Sequence, residues 1–299
     1  MYLGAKQVLI GLIALLGASA SASQGPYGAP PKLSKCGKYL LAKRDQEQLE
    51  EQRAANKRNN FIVTRGIKTY DATFDHQFLS RIREISQKQH VTLFDWGAGT
   101  ARTLREIAEI AQKENWPYPP RLVAISDTLP SKGDKSQIEF HERDKLNVVN
   151  KERAHKEIEA MEQAIENKII DYKVADGNKP LDFNERATLA ADKYGVLSYA
   201  EDLSQTLENT FKHLEENGEL FIYTDFNETQ IYLNGRNGGS ISLDAFLSQV
   251  PGLKVEVIKE AKTLKVTKTQ SNIEFPQLRL IYWRLGTPPT RRYEVILDN

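Results

Sequence analysis

Short apolar runs alternate along the chain with stretches in which apolar residues recur every three or four positions. The runs have the length of buried β-strands, and the stretches are typical of amphipathic helices. The predicted strands are Val91–Phe94, Leu122–Ile125, Ile169–Val174, Val196–Leu197 and Leu220–Tyr223. The predicted helical faces are formed by Phe74, Phe78, Ile82 and Ile85, by Leu104, Ile107, Ala108 and Ala111, by Ala154, Ile158, Met161, Ile165 and Ile169, and by Leu203, Leu207, Phe211 and Leu214. This alternation predicts an α/β fold in which helices cover both faces of a parallel sheet.

The pattern changes towards the C-terminus. Asn217-Gly218 is a typical helix stop and is predicted to end the last of these helices. Val255–Ile258 and Leu278–Trp283 are strand-like, and no clear helix separates them. Because parallel neighbours need a long crossover, two consecutive strands without one predict an antiparallel hairpin at an edge of the sheet. The polar segment Asn227–Ser240 is a candidate specificity loop, with a plain surface loop as the alternative.

The first residues have the layout of a secretory signal peptide. Lys6 precedes the apolar run Val8–Leu16, and the run Gly17–Ser23 consists of small residues. Cleavage is expected after Ala22 or after Ala20, and an uncleaved anchor or an incidental apolar terminus are the alternatives. The predicted division is a signal peptide at 1–22, a flexible linker and charged arm at 23–60, and one globular domain at 61–299. We therefore expect an exported protein, periplasmic or secreted, without stable membrane insertion after signal cleavage.

Composition and charge exclude several classes of function. The chain has 299 residues, with 41 Lys and Arg against 40 Asp and Glu, so its net charge of +1 creates no global field that would recruit nucleic acid. Cys36 is the single cysteine, so the chain can form no internal disulfide. The five histidines show no spacing typical of metal ligands, and neither a P-loop nor a Ser nucleophile elbow occurs. We expect no metal site and no nucleic-acid partner.

The strongest chemical signal is the segment V-T-L-F-D-W-G-A-G-T-A-R, which ends a predicted strand and begins a predicted helix. Gly97 and Gly99 can adopt positive φ, and without side chains they let a ligand approach the backbone at a helix N-terminus. If a ligand contacts Gly97, valine at this position should block binding while the fold survives. A nicotinamide fingerprint requires a small residue at position 102, where Arg102 stands. A sharp turn without any ligand is the alternative.

This segment resembles motif I of the class I S-adenosylmethionine-dependent methyltransferases, in which an acid is followed by three glycines at alternate positions. Asp95 stands at the acid, and Ala101 replaces the third glycine. The resemblance extends over about Thr69–Leu285. It implies a three-layer, Rossmann-like α/β fold with a mostly parallel seven-stranded sheet and an antiparallel C-terminal edge strand. It also implies that S-adenosylmethionine is the cofactor and that Asp95, Gly97 and Gly99 line its methionine end.

The same resemblance assigns acids that follow the second and third strands of the motif order. The ribose ligand should end the second strand, where Ser126 stands and Asp127 follows one residue later. Either Asp127 binds the ribose or the site is weakened, and a role as a turn residue is the alternative. Asp176, in V-A-D-G after the third strand, corresponds to the acid that binds adenine, although an Asp-Gly turn alone would also explain it.

The segment Tyr194–Tyr199 resembles the family's fourth strand, but Gly195 replaces its usual acid. Ser198 would face the cofactor beside the transferring methyl group. Tyr199, Glu201 and Asp202 are the candidates for the base that deprotonates the acceptor, and acidic capping of the next helix is the alternative for the two acids. Two functions therefore stay open. One is methyl transfer to an unidentified small-molecule or protein acceptor. The other is an exported, non-catalytic binding or scaffold protein, favoured by the export signal and by the missing acids.

Overall fold

The computed structural model describes residues 46–47, 50–51, 62–131, 133, 138–140, 148–149, 151–224, 228–234, 239–259, 262–284 and 290–296. The predicted signal peptide, Cys36 and most of the predicted linker and arm lie outside these residues, as does part of the segment Asn227–Ser240. The strands are β1 (Ile62–Thr64), β2 (Thr92–Trp96), β3 (Arg121–Ser126), β4 (Ile138–Phe140), β5 (Val148–Val149), β6 (Ile170–Val174), β7 (Ala187–Lys193), β8 (Leu214–Tyr223), β9 (Thr229–Tyr232), β10 (Ser240–Ser242), β11 (Leu253–Lys259), β12 (Thr263–Lys268), β13 (Leu278–Arg284) and β14 (Thr290–Val295). The helices are α1 (Ile67–Thr73), α2 (Gln77–Ser86), α3 (Arg102–Lys113), α4 (Lys151–Glu166), α5 (Val196–Tyr199), α6 (Leu203–Lys212) and α7 (Leu243–Leu247).

The main sheet has seven strands in the order β11-β12-β8-β7-β2-β3-β6. The five strands from β8 to β6 are parallel, and β12 is antiparallel to both of its neighbours. The predicted α/β fold with a mostly parallel seven-stranded sheet is therefore confirmed. The antiparallel strand lies one place in from the edge, because β11 continues the sheet beyond it.

Successive side chains of the central strands enter opposite layers, as the two-residue period of a strand requires. Leu93 and Leu122 pack with α1, α2 and α3 on one face, together with the buried ring of Phe78. Phe94 and Val123 pack with α6 and α7 on the other face. These two cores cover both faces of the parallel strands and give the predicted three layers.

A second sheet, in the order β10-β9-β14-β13, packs on the face that carries α6. The prediction that Val255–Ile258 and Leu278–Trp283 form one hairpin is wrong. Val255–Ile258 belongs to β11, whose hairpin partner is β12, whereas Leu278–Trp283 belongs to β13 and pairs with β14. An apolar pattern gives a strand but does not give its partner, and both strands here have buried positions in different sheets.

Two further boundaries differ from the predictions. Val196–Leu197 lies in the short helix α5, and the fourth strand of the parallel series is β7, which ends at Lys193. Its Ala-rich sequence gives little strand signal. Helix α6 ends at Lys212, so Asn217-Gly218 is not its C-cap but lies within β8, where Asn217 has a φ of +64°. Among the described residues, no helix combines the length and the apolar character needed to cross a bilayer.

Candidate functional site

A tight turn connects the end of β2 to the start of α3 and contains three left-handed residues at alternate positions. Gly97, Gly99 and Ala101 have φ values of +77°, +54° and +50°. The amides of Gly97 and Ala98 both donate to the Ile125 carbonyl oxygen, at 2.8 and 3.1 Å, which ties the turn to β3. The predicted positive φ of the two glycines is confirmed, and the turn lies at the N-terminus of a 12-residue helix.

Both glycines of this turn pack closely against other backbone segments. A Cβ added to Gly97 would lie 2.5 Å from the Gly195 Cα, and one added to Gly99 would lie 2.9 Å from the Val63 carbonyl oxygen. The premise that valine at position 97 would clash only with a ligand is therefore wrong, since the new side chain would strike the protein backbone. Gly195 is equally constrained, because its added Cβ would lie 2.0 Å from the Trp96 carbonyl oxygen.

Asp95 is the residue before the last of β2 and lies inside the protein rather than at the surface. Its side chain is buried and accepts a 2.8 Å hydrogen bond from the Tyr70 hydroxyl on α1. Burial raises the pKa of Asp95 to about 7, although the Tyr70 hydrogen bond and the Arg65 charge oppose that rise. Its side-chain hydrogen bond is therefore to α1, within the protein.

Asp192 is a second buried acid, and the sequence analysis missed it. It pairs with Trp96 in the sheet and accepts hydrogen bonds from the amides of Gly195 and Leu197, both at 2.9 Å. Burial raises its pKa to about 6. Arg291 of β14, which is also buried, donates to the Leu197 carbonyl oxygen. Leu197 of α5 is thus fixed at both backbone groups, because its amide donates to Asp192 and its carbonyl oxygen accepts from Arg291.

Two cations lie beside the buried acids, and both escaped the sequence analysis. The Lys193 ammonium donates to the Thr69 carbonyl oxygen at 3.2 Å and to the Thr73 hydroxyl, and burial lowers its pKa to about 7. The Arg65 guanidinium is 5.9 Å from the centre of the Tyr194 ring, and its Nε has no hydrogen-bond partner in the described part of the chain. Positions 65 and 193 belong to no motif and follow no predicted strand, so nothing in the sequence marked them as site residues.

The acids that follow β3 and β6 are more exposed than Asp95 and Asp192. Asp127 directly follows β3, is exposed, and accepts a 3.2 Å hydrogen bond from the Thr128 hydroxyl. Asp176 follows β6 by two residues, with 40% of its side chain exposed. Partial burial tends to raise the pKa of Asp176, but hydrogen bonds from the Asn178 amide and side chain, together with Lys179, hold it below its usual value.

The remaining predicted residues lie in α5, which contains Ser198 and Tyr199, and in the loop after it, which contains Glu201 and Asp202. Ser198 is buried and donates a 2.8 Å hydrogen bond to the Thr224 hydroxyl at the end of β8. Tyr199 is 43% exposed. Asp202 caps α6 by accepting from the Gln205 amide at 2.9 Å. The Asn178 side-chain oxygen accepts from the amides of Glu201 and Asp202, at 2.7 and 3.0 Å.

This last contact joins the loop that contains Asp176 to the loop that contains Glu201 and Asp202. The predicted residues therefore lie along one edge of the sheet, where the carboxyl ends of β2, β3, β6 and β7 meet. A separate cavity of about 400 Å³ lies between α2 and strands β8 and β12, and none of the predicted site residues lines it. In the part of the chain that the structure describes, His, Cys, Asp and Glu side chains form no group of three that could hold a metal ion.

Neither a protein-family model nor a curated protein sequence matches the chain. Among solved structures, it is similar to the 1,6-didemethyltoxoflavin-N1-methyltransferase of Burkholderia thailandensis with bound 1,6-didemethyltoxoflavin and S-adenosylhomocysteine, at 11% identity and a TM-score of 0.34, over 81% of this chain and 93% of that chain. It is similar to the N-methyltransferase NodS of Bradyrhizobium japonicum, at 16% identity and a TM-score of 0.35, over 67% of this chain and 99% of that one. It is also similar to a TehB-like S-adenosylmethionine-dependent methyltransferase of Corynebacterium glutamicum, at 10% identity and a TM-score of 0.38, over 76% of this chain and 99% of that one.

Proposed function

We propose that this edge of the sheet binds S-adenosylmethionine and that the protein transfers the methyl group to an acceptor. The observation that carries the proposal is the position of the glycine turn in the sheet. The chain passes from β2 outward through β3 to β6, then returns to β7 on the other side of β2. Ligands of open α/β sheets bind outside the carboxyl ends of the strands at such a switch point. The left-handed turn at Gly97 and Gly99 lies at this point.

The charged groups around the turn fit the parts of this cofactor. Asp127 and Asp176 would accept hydrogen bonds from the ribose hydroxyls and from the adenine amine, since each carboxylate oxygen has two lone pairs and both side chains are at least partly exposed. The Arg65 guanidinium is nearly buried and keeps an unbonded Nε. It would bind the methionine carboxylate, because an anion offsets the cost of burying that charge. Asp95 would act through Tyr70, which it anchors.

When bound, S-adenosylmethionine would supply an activated methyl group on a positively charged sulfur. The protein's part in such a displacement is to align the acceptor and to take its proton where it has one. Ser198 would face the methyl group. Tyr199 and Glu201 remain the candidates for the base, whereas Asp202 uses a carboxylate oxygen to cap α6. The acceptor is left open between a small molecule and a protein. Export of the protein remains our proposal from the N-terminal pattern alone.

The test is calorimetric titration of the mature chain with S-adenosylmethionine and S-adenosylhomocysteine. Removal of a charged acceptor costs about 1.5–3 kcal/mol, so Asp127→Ala and Asp176→Ala should each weaken binding by roughly ten- to a hundredfold. Asp127 is included because β3 extends through Ser126 and places it at the strand end. Asp182→Ala is the matched control, since Asp182 is exposed in the connection that follows Asp176.

Wild-type protein that binds neither compound would overturn the proposal and favour the non-catalytic scaffold. Unchanged affinity in both aspartate variants, beside tight binding by the wild type, would overturn the assignment of the two acids. Circular dichroism of each variant would show whether a loss of binding follows from a loss of fold.

A further inference from the structure

Tyr172 of β6 spans two loops of the proposed cofactor site. Its hydroxyl lies 2.7 Å from the Gly99 carbonyl oxygen in the glycine turn and 3.1 Å from the Thr128 carbonyl oxygen in the loop after β3. Gly99 and Thr128 lie in loops that follow different strands, β2 and β3, and Tyr172 itself comes from the strand beyond them. One hydroxyl therefore lies within hydrogen-bond distance of both loops that flank the proposed ribose position.

The register of the sheet explains how the Tyr172 ring reaches so far. Tyr172 is paired with Ala124 of β3, and Ala124 is paired with Asp95 of β2. Directly paired residues point to the same face of a sheet, so these three side chains form one row. The middle member is alanine and fully buried. A larger residue at position 124 would occupy the path along which the ring crosses β3 towards the glycine turn.

The chemistry of the phenol suits this bridging position. Two carbonyl oxygens compete for a single hydroxyl hydrogen, and Gly99 is the nearer acceptor. Burial holds the pKa of Tyr172 far above its usual value, so the hydroxyl remains a donor throughout the neutral range.

We propose that Tyr172 is a positioning residue of the cofactor site, whose hydroxyl fixes the separation between the glycine turn and the loop that contains Asp127. This inference rests on the proposed function, because it assigns Tyr172 a role towards the same cofactor. Tyr172 acts through Asp127 and the turn, and it makes no contact with the reacting atoms. Binding energy depends on such pre-ordered geometry, since a loop that must be ordered on binding lowers affinity.

The experiment is titration of the full mature chain with S-adenosylhomocysteine, comparing wild type with Tyr172→Phe. The variant removes one hydroxyl and keeps the ring, and we expect affinity to fall five- to twentyfold. Tyr118→Phe is the matched control, because the Tyr118 ring packs against His90 away from this edge. Its affinity should equal that of the wild type.

A double-mutant cycle separates positioning from a general loss of structure. If Tyr172 acts by placing the Asp127 loop, the effect of Tyr172→Phe should shrink to less than threefold in an Asp127→Ala background. An equal loss in both backgrounds would overturn the positioning role, and so would wild-type affinity in the single Tyr172→Phe variant. Absence of binding by the wild type would instead overturn the proposed function itself, so the two failures are distinguishable.

Discussion

The carboxyl edge of the main sheet has a centre, formed by the ends of β2 and β7, and a periphery, formed by the ends of β3 and β6. Acidic side chains are buried at the centre and at least partly exposed at the periphery. At the centre, the ends of β2 and β7 bury Asp95 and Asp192, and burial raises both pKa values. At the periphery, β3 is followed by the exposed Asp127, and β6 is followed by Asp176, whose pKa is lowered. The buried acids are bonded within the protein, whereas the outer acids keep part of their surface for solvent.

This contrast indicates a structural role for the central acids and a ligand-binding role for the peripheral acids. Asp192 holds two backbone amides, and Asp95 holds a hydroxyl of the covering helix, so the central acids fix the shape of the site. A carboxylate that binds a ligand must be accessible, and the side chains of Asp127 and Asp176 are at least partly exposed, whereas those of Asp95 and Asp192 are buried. The comparison predicts that substitutions at the centre lower the free energy of unfolding strongly and that substitutions at the periphery change it little.

The largest expected effect is at the glycine contact that joins β2 to β7. Gly195→Ala places a Cβ 2.0 Å from the Trp96 carbonyl oxygen, so one backbone segment must move. We expect a loss of at least about 4 kcal/mol in the free energy of unfolding, or no folded protein. Gly239→Ala is the control, since an added Cβ there meets no described atom within 4 Å. Urea unfolding measures both, and equal stability of the two variants would contradict the contact.

A smaller effect should appear as a change in pH dependence at Asp95. The native state keeps a proton on this group up to a pKa of about 7, whereas the unfolded chain releases it near 3.8. The unfolded state therefore binds fewer protons in this window, and stability falls as pH rises from about 4 to about 7. Asp95→Asn keeps an acceptor for Tyr70 and has no proton to release.

Urea unfolding across that pH range should show a decline in wild type that exceeds the decline in Asp95→Asn by on the order of 3–4 kcal/mol. Asp182→Asn, an exposed aspartate, should follow the wild-type curve. Asp192 contributes its own decline up to about pH 6 in all three proteins. Parallel curves for the wild type and Asp95→Asn would show that the buried carboxyl titrates normally.

The periphery was easier to predict from the sequence than the centre. Strands β2 and β3 are largely apolar, and β6 alternates apolar and charged residues; the predicted positions of all three agree with the structure to within two residues. The acids that follow β3 and β6 could therefore be placed. Strand β7 has the sequence A-T-L-A-A-D-K, in which small residues leave no clear period. Because β7 was not predicted, the fourth strand was assigned to Val196–Leu197 instead, and Asp192 was not recognised as a strand-end acid.

The central charges could not be predicted for a further physical reason. A buried Lys193 or Arg65 is tolerated because distant segments supply its partners, and sequence spacing does not reveal those segments. Thr69 and Thr73 accept hydrogen bonds from Lys193 across more than 100 positions. Gly195 shows the same limit, since the backbone contact with Trp96 that excludes a side chain at this position cannot be read from the sequence.

The smallest expected effect on stability is at the periphery and completes the comparison. Asp127 is exposed and accepts a hydrogen bond from the neighbouring Thr128 hydroxyl. A surface substitution of this kind changes the free energy of unfolding by no more than about 0.5 kcal/mol. Asp127→Asn should therefore unfold in urea with the wild-type midpoint at pH 7, because the amide oxygen still accepts from Thr128 and no buried charge is lost. A shift of the midpoint equivalent to more than about 1 kcal/mol would mean that Asp127 belongs to the structural centre, and the division between the two parts of the edge would fail.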